Sequence, residues 1–125
     1  MFKEAKAFSS FSVKDIPASK AFYGEVLGLD ISAPMDQLSL NLTGGGKVFI
    51  YGKEDHQPAL FTVLNFNVPE LEKAMQHLSD QGVKFEIYKE EGFATDDRGV
   101  HEDEGMKIAW FKDPSGNILS IIEEG

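Results

Sequence analysis

The sequence predicts an α+β fold built from two β-α-β-β-β modules, and three observations carry that prediction. Phe11-Ser12-Val13-Lys14-Asp15-Ile16 and Phe66-Asn67-Val68-Pro69-Glu70-Leu71 share one pattern (Phe, small polar, Val, any residue, acid, aliphatic) at an offset of 55 positions. Each copy is followed by a helix-periodic stretch that runs to a glycine, Gly28 or Gly82. A short strand pattern comes next in both, Leu29-Asp30-Ile31 or Val83-Lys84-Phe85. Agreement in order, spacing and element type makes this a duplicated unit rather than a chance pair.

The first module begins with a strand over Ala7 to Val13, which sets Phe8, Ser10 and Ser12 on one face and Ser9, Phe11 and Val13 on the other. Asp15 is placed to cap a helix, and Pro17 falls in its first turn, where a missing N–H costs nothing. Ile16, Phe22, Tyr23, Val26 and Leu27 form the apolar stripe of that helix, which Gly28 ends. Three strands follow, over Leu29 to Ala33, Gln37 to Thr43 and Lys47 to Tyr51, with Gly44-Gly45-Gly46 making the last turn. Residues 1–52 are the first module and 53–59, polar with a proline, the linker.

The second module, residues 60–125, repeats the order. Phe61 to Val68 reads as a strand and Pro69 to Gln81 as a helix with Leu71, Ala74, Met75 and Leu78 inward. Strands are expected over Val83 to Tyr88, Met106 to Lys112 and Asn117 to Glu123. Neither module has enough sheet and helix to bury a good core alone, so the two are expected to pair into a single domain. Phe11, Val13, Leu64, Phe66 and Val68 suit the helix-covered face. The opposite face, with Phe8, Ser10, Ser12, Val63, Asn65 and Asn67, is mixed and suits solvent or a pocket wall.

Composition excludes several functions. At 125 residues, 42% hydrophobic and 26% charged, the chain has the make-up of an ordinary soluble globular protein. A formal charge of −9, with Arg98 the only arginine, argues against nucleic acid and anionic membrane surfaces as partners. No cysteine is present, so disulfides and thiolate metal sites are excluded. No secretory segment follows Met1 and no apolar run approaches the ~20 residues that span a bilayer, so a cytoplasmic protein is expected. From Lys89 to Gly105 seven carboxylates face only Lys89 and Arg98. Such a run reads first as a solvated mobile loop, and second as a lid or an attractor for a cationic ligand.

Known catalytic motifs are missing. His56, His77 and His101 lack metal-site spacing and read as surface residues. The acidic groups Asp96-Asp97 and Glu102-Asp103-Glu104 do not follow the EF-hand order. Gly44-Gly45-Gly46 lacks the Lys and Ser/Thr of a phosphate cradle. Ser10, Ser12 and Ser120 have no histidine partner visible in the sequence, and Glu86 with Tyr88 reads as a polar edge before an acid/base pair.

Asp113-Pro114-Ser115-Gly116-Asn117 is a turn with proline at a type I position and glycine at the left-handed residue of a bulge. A three-residue connection pairs Asp113 with Asn117, and hence Trp110 with Ser120 on one face. A two-residue turn would instead pair Ala109 with Ser120 and send Trp110 under the helix, because one step of register flips every side chain. The first alternative is preferred.

With its duplicated module, the run SVKDIPASKAFYGEVLGLDI and the turn in AWFKDPSGNILSI, nearly the whole chain resembles the vicinal oxygen chelate superfamily. That group holds glyoxalase I, extradiol dioxygenases, fosfomycin-resistance enzymes and bleomycin-resistance proteins. The resemblance implies a curled eight-stranded mixed sheet with a concave ligand pocket, and, in family enzymes, a divalent metal on four His, Gln or Glu ligands. Those ligand positions fall on Phe8, Ile50, Val63 and Ser120. Phe, Ile and Val offer no donor atom, and one neutral hydroxyl does not hold a divalent ion. No cofactor and no metal are therefore expected.

The resulting expectation is a metal-independent protein that binds or sequesters a small organic molecule, cationic or aromatic in character, and that forms a homodimer as many members of the family do. Its pocket is expected to be lined by Phe8, Ser10, Ser12, Ile50, Val63, Asn65, Asn67, Trp110 and Ser120. The reading leans away from an enzyme. The alternatives are a glyoxalase- or dioxygenase-like enzyme with a displaced site, and a structural subunit whose pocket is filled by its own side chains.

Overall fold

The computed structural model describes all 125 residues and divides them into two units, Met1–Gln57 and Pro58–Gly125, each an α+β assembly around its own four-stranded mixed sheet. The division falls inside the expected linker.

In the first unit, strand β1 (Ser9–Val13) leads into helix α1 (Ile16–Ala21), which widens into a π-helical turn over Phe22–Val26. Asp15 caps α1 as its position implies, its carboxylate accepting from the Ala18 N–H at 3.0 Å, and Pro17 lies in the first turn. Strands β2 (Asp30–Ser32), β3 (Leu38–Asn41) and β4 (Lys47–Gly52) complete the sheet in the order β1-β4-β3-β2, with β1 and β4 parallel and the other pairs antiparallel. Register pairs Phe11 with Ile50, Leu38 with Ile50, and Leu40 with Val48. One face therefore carries Val13, Leu38, Leu40, Val48 and Ile50, all buried, with Tyr23 of the helical segment against Phe11. That face is the core of the unit.

The second unit repeats the topology. Strand β5 (Thr62–Asn67) and helix α2 (Leu71–Asp80) are followed by a small hairpin, β6 (Lys89–Glu90) and β7 (Phe93–Ala94). Then come β8 (Val100–Asp103), β9 (Met106–Lys112) and β10 (Ile118–Glu123), giving the sheet order β5-β10-β9-β8 with β5 and β10 parallel. Leu71, Met75 and Leu78 of α2 are buried, as are Ala109, Phe111, Leu119 and Ile121 of the sheet. The N-terminus of α2 is held by a carboxylate from the sheet, Glu123 accepting from the Leu71 N–H at 2.7 Å, as a helix's positive end favours. No helix is long and apolar enough to cross a membrane.

One element departs from the sequence reading. Val83 to Tyr88 does not form a strand; it touches the sheet through a single bridge, Phe85 to Phe111, and the Glu86 N–H donates to the Trp110 carbonyl at 2.9 Å. The fourth strand is β8, from the acidic stretch, whose Val100 pairs with Ala109. Phe85 and β8 thus use successive parts of the same edge of β9. The chain between them leaves the sheet as the β6–β7 hairpin and returns. The acidic stretch is accordingly not a featureless loop. At its base the Tyr88 N–H donates to Thr95 Oγ1 (3.0 Å) and the Thr95 N–H to the Tyr88 carbonyl (2.8 Å). Asp96 Oδ1 accepts from the N–H groups of Arg98 and Val100, both at 2.9 Å, and Arg98 reaches α2 with two bonds to Glu72.

Candidate functional site

In the first unit, strand alternation sets Ser10 and Ser12 on the face opposite the core, and Phe8, just before β1, is an exposed apolar side chain. Ile50 does not join them. Its register with Phe11 turns it into the helix-covered core, where it is fully buried. The β4 residues that share the face of Ser10 and Ser12 are Phe49 and Tyr51, whose rings stack at 6.3 Å and 20°. His56 is not a bare surface residue either: its Nδ1 lies 2.6 Å from Ser12 Oγ, so Ser12 has the histidine partner that sequence distance concealed. The contact ties the segment after β4 to the face of β1, as does the Lys53 N–H bonded to the Val13 carbonyl at 2.9 Å.

In the second unit, the turn after β9 decides the face of Trp110. The Asp113 N–H donates to the Asn117 carbonyl and the Gly116 N–H to the Asp113 carbonyl, each at 3.0 Å, with Gly116 in the left-handed region. Buried Asp113 takes three further bonds, from the Ser115 and Asn117 N–H groups and from Asn117 Nδ2, all at 2.9 Å. This is the three-residue connection, and it pairs Ser120 with Trp110. Asn65 and Asn67 stand on the same face, and the fully buried Ser120 donates its hydroxyl to Asn65 Oδ1 at 2.5 Å.

Val63 is displaced from the position expected for it. The β5–β10 register shifts between Ile118 and Leu119, where Thr62 pairs with Ile118 and Leu64 with Leu119, leaving Val63 as the extra residue of a bulge. Thr62 takes the place beside the indole, its Oγ1 accepting from Trp110 Nε1 at 3.1 Å.

Around Trp110 the structure assembles a cluster whose members, from Tyr88 to Trp110, lie up to 22 positions apart in the sequence. Tyr88 and Phe93 meet the indole edge-to-face at 5.6 and 5.2 Å, and lie 5.7 Å from each other. His101 sits 4.9 Å from Phe93, with Nδ1 2.9 Å from the Ala94 carbonyl, so that this nitrogen is the donor. Beside the cluster is a half-open cleft of about 240 Å³, walled by Tyr88, Phe93, Trp110, Ile118, Phe61 and Leu60, with Glu90 and Thr62 as its polar groups. Burial raises the Tyr88 phenol above the usual range, and the carboxylates of Glu86 and Glu90 push the same way. The phenol is therefore neutral throughout the physiological range. Sequence reasoning missed Tyr88, Phe93 and Glu90; the only signal for Phe93 was a lone aromatic inside an acidic run.

The residues at the four positions that the resemblance assigns to metal ligands do not fit a divalent ion. Phe8 and Val63 have no donor atom, Ile50 is apolar and turned into the core, and the Ser120 hydroxyl is committed to Asn65. No group of three or more His, Asp and Glu side chains is placed to hold a metal elsewhere.

A sequence model described as the Glyoxalase/Bleomycin resistance protein/Dioxygenase superfamily matches residues 8–121. Among solved structures, the chain is similar to an antibiotic binding protein from Streptomyces sp. CB03234, at 19% identity over 98% of both chains with a TM-score of 0.72. It is also similar to a glyoxalase family protein from Enterococcus faecalis, at 22% identity over 98% of this chain and 100% of that one, TM-score 0.68. A third is a fosfomycin resistance protein from Listeria monocytogenes, at 11% identity over 98% and 94%, TM-score 0.73. No curated protein matches the sequence.

Proposed function

The chain belongs to the glyoxalase/bleomycin resistance protein/dioxygenase superfamily, and from that premise we propose that it is a metal-independent protein that binds a small organic molecule. The observation that carries this reading is the contrast between two places. The four positions where the family's enzymes hold their metal offer three hydrocarbon side chains and a hydroxyl already bonded to Asn65. Beside Trp110, an aromatic-walled cleft remains open. Apolar walls with a few placed polar groups are what small-molecule sites are made of. The similarity to an antibiotic binding protein and to a fosfomycin resistance protein supports a small-molecule ligand. A cytoplasmic homodimer is part of the same proposal, its oligomeric state to be read by light scattering.

Metal analysis of protein purified without chelator tests the first half. Substoichiometric metal is expected, and one tightly held equivalent of Ni, Zn, Mn or Fe overturns it. A ligand screen tests the second half, and the molecule supplies its own reporter, because Trp110 is the only tryptophan. A true ligand at 100 times its Kd should perturb Trp110 emission and add about 2.7 kcal/mol of apparent stability. If a diverse small-molecule library shifts neither emission nor the thermal midpoint, the reading fails.

A further inference from the structure

We propose that the cleft beside Trp110 is a site for a cationic organic group, received by ring faces among Tyr88, Phe93 and Trp110 and balanced by the Glu90 carboxylate. The inference rests on the small-molecule reading above and narrows it to a class.

Size sets the first limit. At about 240 Å³ the cleft lies below the ~300–1,000 Å³ of drug-sized sites, so it suits a small ligand, of the size of one ring bearing a quaternary ammonium group. Charge sets the second. Glu90 lines the cleft and makes no ion pair, while its sequence neighbour Lys89 is paired with Asp97 and Lys112 of β9 with Glu86. The aromatic walls then decide the sign. Over a ring face the quadrupole attracts a cation and repels an anion, so a ligand seated on the faces of these walls is selected for positive charge. The indole N–H, the donor an anion would need, is already given to Thr62. Burial and two carboxylates keep Tyr88 neutral, so the cleft presents one uncompensated negative group among neutral rings. The surrounding stretch from Lys89 to Gly105, with seven carboxylates against two cations, draws the same sign of ligand from a distance. The hairpin explains why this arrangement exists at all: β6 and β7 carry Glu90 and Phe93, paired with each other, to the cleft.

Three probes of one shape separate charge from apolar fit: benzyltrimethylammonium, its uncharged carbon isostere neopentylbenzene, and benzylsulfonate. Titration of Trp110 emission should give a Kd for the cation about tenfold lower than for the isostere, with no measurable sulfonate binding, and added salt should erode the difference. In Glu90→Gln, an exposed exchange that leaves the thermal midpoint unchanged, the gap between cation and isostere should narrow about three- to fivefold. Phe93→Leu should weaken the cation about two- to fivefold and the isostere less. Equal or tighter binding of the isostere or the sulfonate overturns the inference, as does a Glu90→Gln protein with an unchanged gap. Binding of the isostere alone leaves the small-molecule reading standing while this one falls. Silence from all three probes also removes this inference, and the library screen then decides the broader reading.

Discussion

Gly99 is where the hairpin excursion closes back on the sheet, and replacing it tests the account of that closure. Its φ of +94° is one that side-chain-bearing residues adopt at a cost of about 1–2 kcal/mol. A Cβ there would also lie 2.8 Å from the Glu86 carbonyl oxygen and 3.0 Å from Phe85 Cβ. Those atoms cannot swing aside freely, because the Glu86 N–H is bonded to Trp110 and Phe85 forms the bridge to Phe111. Accommodating such overlap costs a further ~1–3 kcal/mol, so Gly99→Ala should lose about 2–5 kcal/mol in all. Gly92 provides the control: its φ is +81°, yet a Cβ there meets nothing within 4 Å. Gly92→Ala should therefore lose only the conformational part, about 1–2 kcal/mol. Urea denaturation followed by Trp110 emission reports the second unit directly, and the midpoint of thermal unfolding should fall by about 4 °C per kcal/mol. Equal losses in the two variants would refute the claim that residues 85–86 and 99 are packed backbone to backbone.

The remaining expectations use the same unit. Asp113→Ala removes three hydrogen bonds from a buried turn and should cost about 3 kcal/mol by urea denaturation, a loss under ~1 counting against the clamp. Thr62→Val leaves the Trp110 N–H without its acceptor and should cost about 1–3 kcal/mol and shift indole emission; unchanged emission would place the indole N–H elsewhere. Asp96 is held below the ordinary carboxylate range mainly by the Val100 N–H, with burial opposing. A depressed folded value means its stabilisation is present above the unfolded value of about 3.9 and lost as pH falls through the folded one. Amide exchange at Val100 should therefore accelerate in acid beyond its intrinsic trend, and exchange that follows the intrinsic trend contradicts this. Ser120→Glu restores a carboxylate at a fully buried position without donors at Val63, so it should destabilise by about 3–5 kcal/mol. Nickel or zinc should not recover the midpoint, and a metal-dependent rise would show that one ligand suffices.

The sequence was most legible where local chemistry fixes geometry. Asp15 and Pro17 marked the start of α1, and the spacing of Asp113, Gly116 and Asn117 gave the register that sets Trp110 across from Ser120. Faces were legible only where alternation was anchored. In β4, aliphatic Val48 and Ile50 alternate with aromatic Phe49 and Tyr51, and either set could fill a core; the parallel pairing with Phe11 settles it, and the sequence pattern alone does not. Val63 was misplaced by a bulge, which changes the count by one residue and leaves no composition signal. The Ser12–His56 bond joins residues 44 apart, beyond any motif spacing.

The structure departs most from the sequence pattern over residues 83–88 and 89–105, which alternation and charge predict as a strand followed by a loop. The alternation of Val83, Phe85 and Ile87 is real, and Phe85 does reach Phe111, but an edge strand needs a free edge to continue along. Beyond Glu86 that option is closed: β9 runs antiparallel to its neighbours, and its edge at Ala109 is taken by Val100. Chain leaving the sheet at Ile87 must then satisfy its own backbone, which β6 and β7 do by pairing with each other. The acidic residues serve this excursion in different ways, Asp96 by bonding the Arg98 and Val100 amides, Asp97 by pairing with Lys89, and Glu90 by standing at the cleft. A solvated charge run and an aromatic site are thus one element seen from its two sides. The occupied edge of β9 sends the hairpin out of the sheet, and the hairpin brings Phe93 back against the indole.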